Sequence, residues 1–246
     1  MSPEIANEEL AATLDRVAEE ILDRANVIAP PINALQLAVR LGYEIAWSAG
    51  ERGRARIVQT PRSDPLGRGT ILLHPEPRME RRQWAVAHEL GEAAAYQVFE
   101  RLDQDPRAVR ANVREQVANW LAGRLLIPSR WWHSSGDDAD WDLLVLKQRF
   151  STASHELLAR RMLDAEPPVV ITIFDQGSIT FRHGNHGFRP PRWSEDEERC
   201  RMQSSDEARP IDHEGPPRIR SWPIHEQKWL REIIRTEYAE ETMSDE

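Results

Sequence analysis

Trp84-Ala85-Val86-Ala87-His88-Glu89-Leu90-Gly91-Glu92 lies inside a stretch, Arg78 to Phe99, that contains no proline. Its spacing predicts one long helix. Four residues separate His88 from Glu92, so the two side chains stand one above the other on the same helix face. The dipeptide His-Glu occurs four times, at His88, His155, His213 and His225, and by itself carries no information. At the other three, the residue four positions on is Ala159, Pro217 or Trp229, none of which binds a cation. Two donors on adjacent turns can converge on one metal, and the intervening Glu89 is offset enough to meet a water there. A third protein donor is then needed, and a carboxylate on the next helix is the simplest source. Glu115 is the choice, because Ala118, Leu121, Ala122 and Leu125 set a buried stripe beside it and small alanines let two helices approach closely.

Working outward, Leu10, Leu14, Val17, Ile21 and Leu22 predict a first helix over Glu8 to Arg24. A second, short helix runs from Ile32 to Leu41, and Tyr43 to Trp47 has strand character. Two more short strands, Arg54 to Gln59 and Thr70 to His74, flank a Pro61 to Gly69 turn region. After the His88 helix, another spans about Arg107 to Leu126 and stops at Pro128. Asp140 to Phe150 and Ser154 to Leu163 read as a helical pair. Past Pro167-Pro168, Val169 to Phe174 and Ser178 to Arg182 form a hairpin around Gln176-Gly177. Phe188 to Pro217 has few apolar anchors and is expected to be a surface excursion without a site. Arg218 to Ile224 returns as a strand, and Glu226 to Tyr238 is expected to be a closing helix before an acidic tail.

Composition narrows the functions. A net charge of -9 with 30% charged residues offers no general attraction for nucleic acid or anionic membrane. Arg52, Arg54, Arg56, Arg62 and Arg68 are scattered through a polar segment and read as solvated. A double proline between the first two helices replaces the tight turn of a helix-turn-helix, so direct nucleic-acid contact is not expected. The single cysteine, Cys200, excludes a multi-cysteine metal knuckle and fits a reducing compartment. No apolar run is long enough to span a bilayer, and the expectation is a cytoplasmic protein.

Trp84-Ala-Val-Ala87-His88-Glu89-Leu90-Gly91 resembles the hallmark of the ImmA/IrrE metallopeptidases, a His-Glu-x-x-His helix preceded by an alanine and an aromatic residue. Glu115-Gln-Val-Ala118-Asn119-Trp120-Leu121-Ala122-Gly-Arg-Leu125-Leu126-Ile127-Pro128 is similar to the family's next signature. The likeness covers about residues 8 to 165. It implies an α+β, mostly helical, zincin-like domain over 1–165 with a small sheet, and it does not inform the β-containing unit over 166–246 that the strands past Pro167-Pro168 open. It also implies His88 and Glu115 as zinc ligands, Glu89 as the catalytic base, and a regulatory protein such as a DNA-binding repressor as substrate. Glu92 stands where the family has its second ligand histidine. A His88, Glu92, Glu115 set still suits Zn2+, admits Mn2+ more readily, and acidifies water less. The same fold without catalysis would be a module that binds a regulatory partner.

Among other candidates, Trp131-Trp132 either lines a cleft or caps a core edge, and Tyr96 either reaches toward the site or packs. His183 and His186 read as solvated turn residues. Cys200 reads as structural.

Overall fold

A computed structural model describes residues 7–48, 55–58, 69–164, 167–185, 189–226 and 229–239. By contacts the chain divides into two units, the residues up to Ala139 with Lys147–Ser154, and Asp140–Leu146 with the residues from His155 on. The architecture is α+β, with a small sheet in the first unit and a larger one in the second.

In the first unit, α1 (Asn7–Arg24) and α2 (Ala34–Arg40) precede three short strands, β1 (Glu44–Trp47), β2 (Arg56–Val58) and β3 (Thr70–Leu73). β3 is central, parallel to β1 and antiparallel to β2, so that buried Ile71 pairs with Ile45 on one side and Ile57 on the other. The helices α3 (Met79–Arg101), α4 (Ala111–Leu126) and α5 (Ser129–Asp138) follow. Leu14, Val17, Ile21 and Leu22 of α1 are buried, as the spacing requires. Arg124 of α4 and Ser129 both donate to Asp15 Oδ1 of α1, at 2.8 and 2.6 Å. Buried Gln83 of α3 accepts the Ala34 N–H at 2.6 Å, which satisfies an otherwise unpaired donor at the start of α2. The helix α5 is absent from the periodicity of the sequence because its buried residues are only Trp132, Ser135 and Gly136. Trp132 is buried with its ring edge-on to Phe150 at 5.5 Å, while Trp131 is half-buried beneath the Arg130 guanidinium. The core-edge reading therefore holds for Trp132.

The second unit contains α7 (His155–Arg161), a 3-10 turn over Met162–Asp164, and a five-stranded antiparallel sheet; α6 (Leu143–Arg149), which precedes α7, crosses the division. Its strands are β4 (Val169–Asp175), β5 (Ser178–Gly184), β6 (Ile211–His213), β7 (Arg218–Pro223) and β8 (Arg231–Glu237), in the order β5-β4-β8-β7-β6. Gln176 and Gly177 both have positive φ, 52° and 77°, the backbone of a two-residue hairpin turn. Ile173, Ile233 and Trp222 lie in register across three strands and are all buried. On the opposite face Phe174, Ile211, Ile219 and Ile234 pack with Cys200 of α8 (Glu195–Glu207). Cys200 is thus buried in an apolar cluster, and burial, reinforced by Asp196, pushes its thiol above the usual range. The structural reading of this cysteine stands.

Two expectations are corrected. Residues 195–207 are a capped helix followed by a strand, not a surface excursion: Ser194 and Glu197 form a reciprocal capping box. Its inward face is Glu197, Cys200 and Ser204, so polar groups occupy the helical period and no apolar stripe announces it. Glu197 is buried because Arg182 grips both its oxygens at 3.0 and 3.1 Å and Thr236 donates to it at 2.7 Å. Residues 231–237 are a strand, not part of a closing helix. Leu230, Ile233 and Ile234 imitate helical spacing, but β8 is the central strand, bonded to β4 and β7, and both of its faces are buried. Under those conditions β-branched Ile233, Ile234 and Thr236 favour the extended form.

The strand ends at Arg54 and Gln59, the Pro61 to Arg68 turn residues, Arg52, Arg62, His186 and the acidic tail lie outside the described residues. Arg56 is exposed, and the His183 ring lies 4.5 Å from that of Phe181. No helix among the described residues is long and apolar enough to cross a membrane.

Replacing Glu197 by Ala removes half of the capping box and leaves a buried guanidinium without its carboxylate. The expected loss is about 3–5 kcal/mol, read from urea unfolding.

Candidate metal centre

The site begins with a missing side chain. A Cβ on Gly91 would lie 2.5 Å from the Ala118 carbonyl oxygen and 3.3 Å from the Ala122 nitrogen. Glycine therefore lets α3 and α4 touch backbone to backbone, across the small residues Ala118 and Ala122. That contact carries His88, one turn before Gly91, up against the first two turns of α4.

His88 meets α4 through both ring nitrogens. Its Nδ1 is 3.0 Å from Asn119 Oδ1, and its Nε2 is 3.7 Å from Glu115 Oε2. Glu115 and Asn119 are four residues apart, so they share one face of α4. With Nδ1–H donating to the amide oxygen, the Nε2 lone pair is directed toward Glu115 and is open for coordination. Glu115, expected from the sequence to be a third donor, lies beside His88, whereas the sequence reading gave Asn119 no role. The signal was present, since a residue four positions after Glu115 on the same helix is placed to reach the same histidine.

His88, Glu89 and Glu92 each offer a donor atom within 4.8 Å of the others. Glu92 is exposed, His88 half-buried and Glu89 buried. The Ile57 N–H of β2 donates to Glu89 Oε2 at 2.8 Å. β2 is an edge strand among the described residues, and Ile57 turns its amide away from β3 toward the helix. Burial pushes the Glu89 carboxyl up to about 7. The Ile57 amide pulls it back, while the charges of Glu92 and Glu115 raise it. Three carboxylates crowd one imidazole here, and Glu115 is roughly half-exposed. Tyr96 is exposed, one turn farther along α3.

This donor chemistry fits a dication. Two ligand atoms on one tetrahedral zinc are about 3.4 Å apart when each bond is about 2.1 Å. The 3.7 Å between His88 Nε2 and Glu115 Oε2 is close to that, and a Glu92 oxygen lies within 4.8 Å of a His88 ring nitrogen. A histidine and nearby carboxylates on one helix, facing another carboxylate on the next, define a metallopeptidase-like domain.

The comparisons agree with that class. Residues 48–163 match the family Peptidase M78, the IrrE N-terminal-like domain. Over those residues the chain is similar to the ImmA/IrrE family, a metallopeptidase-like family, and that match implies a metal, which the His88-Glu89-Glu92 group could bind. No curated protein matches the sequence. Among solved structures, a Mycobacterium tuberculosis transcriptional regulator is similar, with a TM-score of 0.63 at 15% identity over 97% of this chain and 84% of that one. At that identity the likeness concerns the fold alone.

Gly91→Ala gains about 1 kcal/mol of helix propensity and loses more by overpacking a backbone carbonyl that cannot swing aside; a net destabilisation of about 1–2 kcal/mol is expected in urea unfolding. Asn119→Leu should release the His88 tautomer. Nitrogen-15 shifts of the metal-free protein should show protonation on Nδ1 in the wild type and a mixture in the variant, whereas wild-type protonation on Nε2 would mean that Asn119 presents its amide nitrogen instead.

Proposed function

We propose that this protein is a metal-dependent endopeptidase that cleaves a regulatory protein, with His88, Glu92 and Glu115 as the metal ligands and Glu89 as the general base. One observation carries the reading: both ring nitrogens of His88 are committed to α4, Nδ1 to Asn119 and Nε2 facing Glu115, beside a glutamate held by a strand amide. A divalent ion held by those three residues, Zn2+ with Mn2+ as the competitor, would supply Lewis-acid chemistry toward a peptide carbonyl and water.

The chain's own groups divide the remaining work. Glu89 keeps one oxygen on the Ile57 N–H, which fixes its position, and leaves the other as proton acceptor. Its burial keeps that oxygen from being levelled by bulk water. Asn119 holds the His88 ring in one tautomer and one orientation. Glu92 and Glu115 supply negative charge that draws a cation to the Nε2 lone pair.

Residues 1–165 are assigned to the peptidase-like domain and 166–246 to a C-terminal unit. The substrate class rests on the family likeness and is in keeping with the description of the similar mycobacterial protein as a transcriptional regulator. The expected partner is thus a regulatory protein in the cytoplasm, without direct contact to nucleic acid or membrane. A second reading is favoured by Glu92, where the family has a histidine: a catalytically silent module that binds the same kind of partner.

Glu89→Gln separates the two. Wild type incubated with Zn2+ and a peptide library made from the host proteome should generate new N-termini, detected by mass spectrometry. The variant should hold the same metal content and lose at least about 100-fold in turnover. Equal, metal-independent cleavage by both, or none by either, would leave the binding module as the function.

A further inference from the structure

We infer that Glu92 is the residue that sets metal preference, biasing this site toward the harder, oxygen-seeking Mn2+ relative to a two-histidine site. The inference rests on the metal centre proposed above and goes beyond it by assigning selectivity to one side chain.

The argument begins with the donor count. His88 Nε2 is the single imidazole nitrogen in the proposed set, and the nearest other donors, on Glu115, Glu92 and Glu89, are carboxylate oxygens. Imidazole nitrogen suits zinc, and affinity for nitrogen donors climbs steeply from manganese to zinc. Carboxylate oxygen suits manganese and discriminates less between the two ions. Exchanging one nitrogen for an anionic oxygen therefore takes more from zinc than from manganese.

Geometry and charge act in the same direction. Glu92 is exposed at the open side of α3, where its carboxylate can bind through one oxygen or two, and water can complete a larger shell. Manganese takes an octahedral oxygen-rich shell, whereas zinc in protein sites is usually four-coordinate. Glu89 and Glu92 stand beside His88 on α3 and Glu115 faces it from α4, so like charges repel one another across the site. Any dication relieves that repulsion, so the charge contributes affinity without favouring zinc. The nitrogen that a histidine at 92 would add is the part missing from this chain.

The test uses the full chain, stripped with a chelator and titrated with Zn2+ alone or Mn2+ alone. Calorimetry gives both affinities, and loss of the hexaaquo Mn2+ resonance gives the manganese value independently. Wild type is compared with Glu92→His, Glu92→Gln and His88→Ala. Position 92 is exposed, so its substitution leaves the core intact, and the Gln variant serves if the His variant does not fold. The expected result is a zinc-over-manganese ratio that widens at least about 10-fold in Glu92→His, through tighter zinc. It should widen also in Glu92→Gln, through weaker manganese. An unchanged ratio in the folded variants overturns the inference and leaves the metal centre standing. A wild type that binds neither ion, or binding that His88→Ala does not reduce, overturns the metal centre and the inference with it.

Discussion

Two helices touch at Gly91 and Ala118 with no side chain between their backbones, and the candidate metal centre is a consequence of that contact. At an ordinary helix separation of 8–10 Å, His88 would face a layer of intervening side chains. With the glycine, its ring reaches both Asn119 and Glu115, which lie on neighbouring turns of α4. The buried alanines Ala87, Ala94, Ala95, Ala118 and Ala122 widen the contact around that point. Because the approach is made of backbone atoms, it cannot relax by a rotamer change. The positions of His88 and Glu115, the candidate ligands, are thereby tied to packed helices rather than to a loop.

A second constraint comes from the small sheet. β2 contributes three residues, with Ile57 its middle one, yet the backbone amide of Ile57 holds the carboxylate that the chemistry requires. An edge strand has amides to spare, and here one is used on a side chain of the helix. The same carboxylate is buried and surrounded by like charge, which raises its proton affinity. The position of Glu89 is therefore set by an amide 32 residues away, and its proton affinity by burial together with Glu92 and Glu115.

The C-terminal unit follows a different economy. Its α8-facing side is built around buried Glu197, paired with Arg182 and accepting from Thr236, while on the other face buried Arg220 reaches the exposed carboxylates of Asp212 and Asp140. Buried ion pairs of this kind contribute less to stability than apolar packing of the same volume, but breaking one costs several kcal/mol. They also conceal the structure from pattern reading. A helix whose inward face is Glu, Cys and Ser has no apolar stripe, and a central strand with buried Glu232 and Arg235 looks like a solvated segment.

The sequence by itself determined the helices α1, α3 and α4, the hairpin at Gln176-Gly177, the α+β class and the candidate residues His88, Glu89, Glu92 and Glu115. Each depends on short-range regularities, such as 3.6-residue periodicity, proline stops and a four-residue donor spacing, which survive in one dimension. Tertiary structure alone decided that α8 is a helix and β8 a strand, because the inward-facing Glu197, Ser204 and Thr236 are bonded to partners on other elements. It alone decided the part played by Asn119 and by the Ile57 amide, since a hydrogen bond across 31 or 32 residues leaves no local trace. Glu92 belongs to both: its departure from the family is legible in the sequence, but only the fold places it in the open beside an imidazole already oriented from behind.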